Sequence, residues 1–255
     1  MRATGTGKSR LFIDLATRFP SEIINLDKIQ VYKGLDIVTN KVPISERLGV
    51  PHHLLGEVEQ DVDYISVDFC RDTIAIIETI LKSNRVPIFV GGPNSFLKAL
   101  MEDSVKNFKS SFECCFISMD VSFRILHSYV SKRVDQMVDA GLVDEVREIF
   151  DEKADYSRGV RRAIYVCEMH EYFLLEEKLD KTRKDALFAN SIEKIKENTY
   201  PKVERRDWIG IYWFDATSVL ENTGEKANSA WNEVVLKPCI ELVTQFLSKG
   251  KKDIA

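Results

Sequence analysis

Five consecutive residues, Gly5-Thr6-Gly7-Lys8-Ser9, concentrate more chemistry than any other stretch of this 255-residue chain. Paired glycines let a backbone turn tightly and aim successive N–H groups at one point. A lysine adds positive charge, and a serine hydroxyl is a hard oxygen ligand suited to Mg²⁺. Together these form the donor set of a phosphate-cradling loop. The full pattern, G-x-x-x-x-G-K-[ST], is met except at its first position, where Arg2 replaces the glycine. The second chemical position is Asp27, which closes the apolar run EIINLD (22–27) and precedes Gln30, Tyr32, Lys33 and Asp36. A carboxylate at a strand end beside a phosphate loop can hold metal, act on a bound acceptor, or simply cap the next turn.

These residues need elements to carry them. Residues 9–19 place Leu11, Phe12, Leu15, Ala16 and Phe19 on one helical stripe, so the loop opens a helix. The runs 22–27 and 113–120 read as strands, 86–92 as a strand then a turn, and 51–59 as loop with a short strand. Residues 65–84, with Ser66 as N-cap, and 95–101 read as helices. The alternation predicts an α/β fold, a mostly parallel sheet wound by helices. From about residue 122 the pattern becomes helical, with a break near Gly141 and a charged helical stretch over 160–200. A final strand at 209–214 and a closing helix at 228–248, interrupted by Pro238, follow. The division expected is a phosphate-loop core (1–121), a helical insertion or lid (122–200), and a C-terminal strand and helix returning to the core (201–255). A phosphate loop ordinarily hangs from a central buried strand. None precedes Gly5, and residues 23–26 and 86–90 are expected to flank its place.

Bulk composition narrows the partners. Lys and Arg total 36 against 40 Asp and Glu, for a net charge of −4. That balance predicts no stable nucleic-acid partner and no electrostatic membrane binding. No apolar run approaches the ~20 residues of a membrane span. Cys70, Cys114, Cys115, Cys167 and Cys239 are odd in number and form no C-x-x-C pair, as reduced thiols in a reducing compartment would be. His52, His53, His127 and His170 lack metal-ligand spacing.

The motifs TGTGKS, INLDKIQVYKGLDIVTNK, GVPHHLLG, VGGPNSFLKAL, ECCF, RVDQMVDAGLVDEVREIFD, GVRRAI and IEKIKENT stand in one order along residues 3–200. In that order the chain resembles the isopentenyltransferases acting on adenine N6, above all the plant-type adenylate isopentenyltransferases of cytokinin synthesis, relatives of the tRNA dimethylallyltransferases. The resemblance implies a phosphate-loop kinase-like core with a helical insertion. It also implies transfer of a dimethylallyl group from dimethylallyl diphosphate to the N6 amine of AMP, ADP or ATP, with Mg²⁺.

Carried over by position, Thr4 to Ser9 bind the donor diphosphate and Ser9 ligates the metal. Thr4 donates to the bridging oxygen, Lys8 and Arg133 hold the diphosphate, and Asp27 is the general base. Arg133 read alone is an exposed helix charge. Asn94 and Ser95 are candidates for the adenosine site or a plain turn; Arg161 and Arg162 are candidates for the acceptor phosphates or a solvated helix start. The competing readings are a tRNA adenine dimethylallyltransferase, a small-molecule kinase, and a catalytically impaired relative. Four positions depart from the family pattern. The strand and first glycine of the loop are absent, and Ser111 stands where a basic residue is common. The Arg-Gln pair after KENT is missing, and Tyr165 follows Arg-Arg-Ala-Ile where a glycine is usual. The expected compartment is the cytoplasm for the chain as given, or a plastid with an upstream targeting segment.

Overall fold

The computed structural model describes residues 5–92, 95–102, 108–199 and 210–250. Arg2, Thr4 and Asn94 lie outside the described residues. Helix α1 (Lys8–Ala16) opens directly from the loop, and its N-cap Gly7 has φ 84°. Leu11, Phe12 and Leu15 bury its inner face, as their spacing requires. Strand β1 (Ser21–Asn25) follows, then the two-residue β2 (His52–His53). Next come α2 (Ser66–Lys82), β3 (Val86–Val90), α3 (Ser95–Glu102), α4 (Phe108–Ser111) and β4 (Phe116–Asp120). Two sequence boundaries move. Ile65 is the N-cap of α2, and its N–H donates to the Asp68 carboxylate, so Ser66 is already helical. Residues 113–115 are not strand, and β4 starts at Phe116.

Among the described residues every pairing between strands is parallel, as the helix–strand alternation predicts. The sheet is nevertheless in two parts. One has the order β2-β1-β3; the other pairs β4 with β5 (Ile211–Asp215). This corrects the expected flanks. Residues 21–25 pair along their whole length with 86–90, so β1 and β3 are neighbours and the division lies between β3 and β4. The Val86 N–H donates to Pro20 O, and Val90 O accepts from Leu26 N–H. In a parallel ladder this turns residues 86, 88 and 90 toward β1 and leaves Pro87 and Phe89 facing the opposite edge. Proline belongs there, because it has no N–H to give a ladder. Helix α1 spans the division, its apolar face in one cluster with Ile23 of β1, Ile117 and Met119 of β4, and Trp231.

Residues 123–199 contain no strand. They form α5 (Phe123–Asp139), α6 (Leu142–Glu148), α7 (Val166–Leu175) and α8 (Lys181–Thr199). Gly141, at φ 107°, makes the break between α5 and α6. After β5, α9 (Thr217–Glu221) and α10 (Gly224–Trp231) lead through a π-helical stretch, Asn232–Leu236, into α11 (Lys237–Gly250). Pro238 therefore does not stop this helix. The wider π turn lies where a proline ring would collide with the carbonyl four residues back.

Candidate functional site

A cleft of about 1280 Å³ runs along the C-terminal ends of β1 and β3. Its walls include Gly5–Arg10 of the loop and the start of α1, Asn25 at the end of β1 and Asp27 beyond it, Gly91 and Gly92 after β3, and Tyr129, Arg133 and Gln136 of α5. The carboxyl ends of parallel strands are where open α/β sheets bind ligands.

The loop is held from below and from one side. Gly5 and Gly7 both adopt φ 84°. A Cβ on Gly7 would lie 2.9 Å from the Trp231 ring, and one on Gly5 would lie 3.1 Å from Tyr129. Trp231 is itself fixed, its indole N–H donating to Asp14 at 2.8 Å, with the Arg10 guanidinium 4.6 Å above its ring. Both the left-handed backbone and the Trp231 floor therefore exclude a side chain at position 7. Gly7→Ala is expected to lower Tm by at least about 4 °C. It should also abolish detectable binding of inorganic diphosphate in a calorimetric titration.

Lys8 reaches into the cleft, with its ammonium 3.4 Å from the Thr6 hydroxyl. Burial pushes its pKa down to about 8; Asp27 nearby opposes this, and Arg133 adds to it. Ser9 lines the cleft at the first turn of α1 and is exposed.

Asp27 is braced by its neighbours. Its N–H donates to Asn25 Oδ1, and Asn25 Nδ2 donates in turn to the carbonyls of Asp27 and Leu54. One carboxylate oxygen, Oδ1, accepts from Ile29 N–H at 2.9 Å and from Gln30 N–H at 3.4 Å. The side chain therefore caps the turn through Oδ1 while Oδ2 makes neither bond. The turn reading of Asp27 is met by Oδ1, and Oδ2 takes no part in that turn. Gln30 donates to the carbonyls of Thr39 and Asn40, and Glu145 accepts from the N–H groups of Ile37 and Val38. The cleft-wall segment 37–40 is thus tied to both the Asp27 turn and α6.

The structure brings Gly5–Ser9, Asp27 and Arg133 together around one cleft. Among the described residues it does not bring in the other candidates, Ser95, Arg161 and Arg162. Ser95 opens α3 and lies 3.4 Å from the Ser66 hydroxyl, outside the cleft walls. Arg161 and Arg162 occupy a 3₁₀ turn, Gly159–Arg162, and also lie outside them. Arg162 stands 3.6 Å from Asp63. Sequence reasoning passed over Tyr129, Gln136, Asn25 and Glu145. Tyr129 and Gln136 flank Arg133 at helical spacing, so the face of α5 that carries Arg133 would have revealed them.

A family model described as IPP transferase matches residues 30–113 and 102–202. Adenylate isopentenyltransferase 5, chloroplastic, of Arabidopsis thaliana is 51% identical over 97% of this chain and 79% of its own length. Adenylate isopentenyltransferase 7, mitochondrial, of the same plant is 43% identical over 99% of the chain and 80% of its own. An Arabidopsis protein named tRNA dimethylallyltransferase 2 is 28% identical over 97% of the chain and 79% of its own length. Among solved structures, a eukaryotic dimethylallyltransferase acting on tRNA matches with TM-score 0.78 at 23% identity, over 97% of this chain and 78% of that one. A tRNA isopentenylpyrophosphate transferase from Bacillus halodurans matches with TM-score 0.72 at 22% identity, over 98% and 96%. These two carry the fold alone, the phosphate-loop sheet with its helical insertion; the sequence relatives carry the family. The chain belongs to the IPP transferase family, on the branch of the plant adenylate isopentenyltransferases.

Proposed function

We propose that this chain is a prenyltransferase that moves the dimethylallyl group of dimethylallyl diphosphate to N6 of AMP, ADP or ATP, the first step of cytokinin synthesis. The observation that carries the reading is the facing of two chemistries across one cleft. The loop, Lys8 and Arg133 form a cationic cradle, and the second oxygen of Asp27 stands beside it. In the reaction the bond from C1 of the prenyl group to the bridging oxygen breaks, and a bond from N6 to C1 forms. The N6 proton goes to Asp27, and diphosphate leaves. An exocyclic amine is a weak nucleophile because its lone pair is delocalised into the purine, so a carboxylate that accepts its proton as it attacks lowers the barrier. The departing diphosphate gains charge, which Lys8, Arg133 and the N–H groups at the start of α1 stabilise. Thr4 adjoins this loop in sequence and is assigned the bridging oxygen on the family resemblance alone.

The residues present fit Mg²⁺ bound in the manner of a substrate-borne ion. Among the described residues no cluster of three or more His, Cys, Asp or Glu could hold a metal. Ser9 offers one exposed hard oxygen in the cleft, and Mg²⁺ commonly takes one or two protein oxygens with the rest from phosphates and water. The ion would neutralise charge on the leaving diphosphate. Asn94, Ser95, Arg161 and Arg162 are assigned to the acceptor nucleotide on the family resemblance. Lys28 supports that assignment, because it is the next residue after Asp27 and Arg162 is near enough to lower its pKa, after burial. Relatives named chloroplastic and mitochondrial favour an organelle, and a plastid is the compartment proposed.

Prenylation of tRNA is the reading the solved neighbours' names favour. Identities of 43–51% to adenylate enzymes against 28% to a tRNA enzyme favour free nucleotides. The test incubates the protein with dimethylallyl diphosphate, Mg²⁺ and either AMP, ADP, ATP or an anticodon stem-loop, and follows N6-dimethylallyl product by mass spectrometry. Faster product on the stem-loop than on all three nucleotides overturns the assignment.

The Lys8 cradle has its own pH signature. Only the ammonium attracts diphosphate, and in the free protein it loses its proton near pH 8. Affinity for inorganic diphosphate is therefore expected to fall as pH rises through about 8, beyond any fall in a Lys8→Ala variant. Asp27 and Arg133 are the charged groups that act on Lys8, the first raising and the second lowering its pKa. Equal pH slopes for the two proteins would remove Lys8 from the cradle.

A further inference from the structure

The backbone of Asp27 is held by a side chain where the sheet gives out. One residue earlier, Leu26 N–H still donates to Val90 O at 2.8 Å, so β3 carries the pairing that far. At Asp27 both backbone groups turn to Asn25. The Asp27 N–H donates to Asn25 Oδ1 at 3.0 Å, and the Asp27 carbonyl accepts from Asn25 Nδ2 at 3.0 Å. The same Nδ2 donates to Leu54 O at 2.9 Å. Asn25 is only 6% exposed, so water is poorly placed to substitute for these bonds. The arrangement needs an acceptor atom and a separate atom with two N–H groups on a one-carbon stem. Asparagine alone offers both; aspartate lacks the donors, and serine has one atom for both roles.

Leu54, the far end of this arrangement, is itself constrained. Its backbone is at φ 57°, in the left-handed region that favours glycine, and its N–H donates to Glu57 Oε1 at 2.8 Å. The residue before it, His53, pairs with Ile24 of β1, and its Nε2 lies 2.6 Å from Glu22 Oε2 on the same strand. Beyond Leu54, Gly56 N–H donates to Gln30 O at 2.9 Å and Glu57 N–H to Val31 O at 2.8 Å. Residues 53–57 therefore hold the Asp27 turn on both sides, through Asn25 before it and through Gln30 and Val31 after it. Gln30 N–H is in turn one of the two donors to Asp27 Oδ1. The His-His motif thus has a place in the fold: it fixes the rung from which the Leu54 carbonyl meets Asn25.

We infer that Asn25 is a positioning residue for the general base: by tying both backbone groups of Asp27 to the Leu54 carbonyl, it fixes where Asp27 Oδ2 stands in the cleft. The inference rests on the reaction proposed above, in which Asp27 takes the N6 proton, and adds to it the device that aims the carboxylate. Asn25 acts through Asp27 and exchanges no proton itself. Its bonds hold the main chain from which the Asp27 side chain projects. The N–H groups of Ile29 and Gln30 then hold Oδ1, which leaves Oδ2 with a defined place. Displacing a catalytic group by about 1 Å costs about 100-fold in rate.

The experiment is a double-mutant cycle on kcat with the parent chain, Asn25→Ala, Asp27→Asn and the double variant. Each is given saturating dimethylallyl diphosphate, Mg²⁺ and the nucleotide that the parent prenylates fastest. Asn25→Ala should lower kcat about 10- to 100-fold in the parent background, the cost of a misplaced base. In the Asp27→Asn background it should lower kcat by less than about 3-fold, because no proton acceptor is left to misplace. Affinity for inorganic diphosphate, measured by calorimetry, should stay within about 2-fold of the parent in every variant, since the loop is untouched. A purely structural role for Asn25, or a direct contact with substrate, would cost the same factor in both backgrounds, and that result overturns the inference. A kcat for Asn25→Ala within about 3-fold of the parent also overturns it. Glu57→Ala repeats the cycle from an exposed residue, by freeing the Leu54 N–H. Its loss, expected at about 2- to 10-fold on the scale of one hydrogen bond, should likewise vanish beside Asp27→Asn. If Asn25→Ala does not fold, this second cycle decides, and equal factors in the two backgrounds or no loss in either overturns the inference. Failure of the underlying reaction looks different: Asp27→Asn alone then keeps the parent's kcat, and the inference falls with it.

Discussion

Asp27→Asn is expected to reduce prenyl transfer about 10²- to 10⁴-fold, the range set by loss of a positioned general base. Its Tm should stay within about 2 °C of the parent, as for a change near 0.5 kcal/mol in a chain of this size. The separation follows from the two oxygens. Oδ1 holds the turn through Ile29 and Gln30, and an asparagine carbonyl can accept both bonds in its place. The amide nitrogen then occupies the Oδ2 position, where it can donate but cannot take a proton from N6. Asp27→Ala removes both functions and supplies the control. It should lose activity to the same degree and also lose about 0.5–2 kcal/mol of stability, the scale of a lost side-chain cap. Activity is measured by product formation at saturating nucleotide, and stability by thermal melting. Turnover of Asp27→Asn within tenfold of the parent would remove Asp27 from the mechanism and leave only its turn.

The parts of the site that were legible in sequence are those whose chemistry is contiguous. Gly5 to Ser9 declare a phosphate loop because backbone permission, charge and hydroxyl occur side by side. The apolar stripe after them requires a helix whatever the rest of the chain does. Asp27 was legible as a strand-end carboxylate, but the division of labour between its oxygens was not, since it depends on the geometry of the turn that follows. Arg133 came from resemblance; read alone it is a charge on a helix. What sequence could not reveal depends on partners far apart in the chain. Trp231 as the floor beneath Gly7 and Glu145 as the clamp on residues 37 and 38 are both of this kind. Periodicity says which face of a helix is apolar and is silent on which distant backbone that face meets. The same limit applies to sheet order. Parallel strands follow from alternation with helices, but neighbours in the sheet need not be neighbours in sequence. The expectation that 23–26 and 86–90 flank an intervening strand therefore failed against their direct pairing.

The corrected sheet order sharpens the prediction of second-largest effect. A chain extended at its N-terminus by about six apolar residues, the usual length of a strand, and carrying Arg2→Gly is expected to melt higher and turn over faster than the chain as given. The place for the added strand is between β3 and β4, where the sheet divides. Phe89 offers its N–H and C=O to that side of β3, and no strand among the described residues pairs with β3 there. Each backbone group left unpaired in a buried setting costs about 1–3 kcal/mol. Domains are stable by only about 5–15 kcal/mol in all, so pairing two or three such groups is a large change. A rise in Tm of about 5 °C or more is the expected reading. The kinetic effect has a separate cause. The loop as described is fixed by Trp231 and Tyr129 at its base and flank, and a strand running into Gly5 would fix its entry as well. N–H groups stabilise a leaving diphosphate only if they are aimed before the bond breaks, so fixing the entry should raise kcat as well as donor affinity. Thermal melting and prenyl-transfer rates on the two chains, side by side, decide the matter. Equal Tm and equal turnover would mean that α1, which packs on both parts of the sheet, positions the loop without a strand behind it.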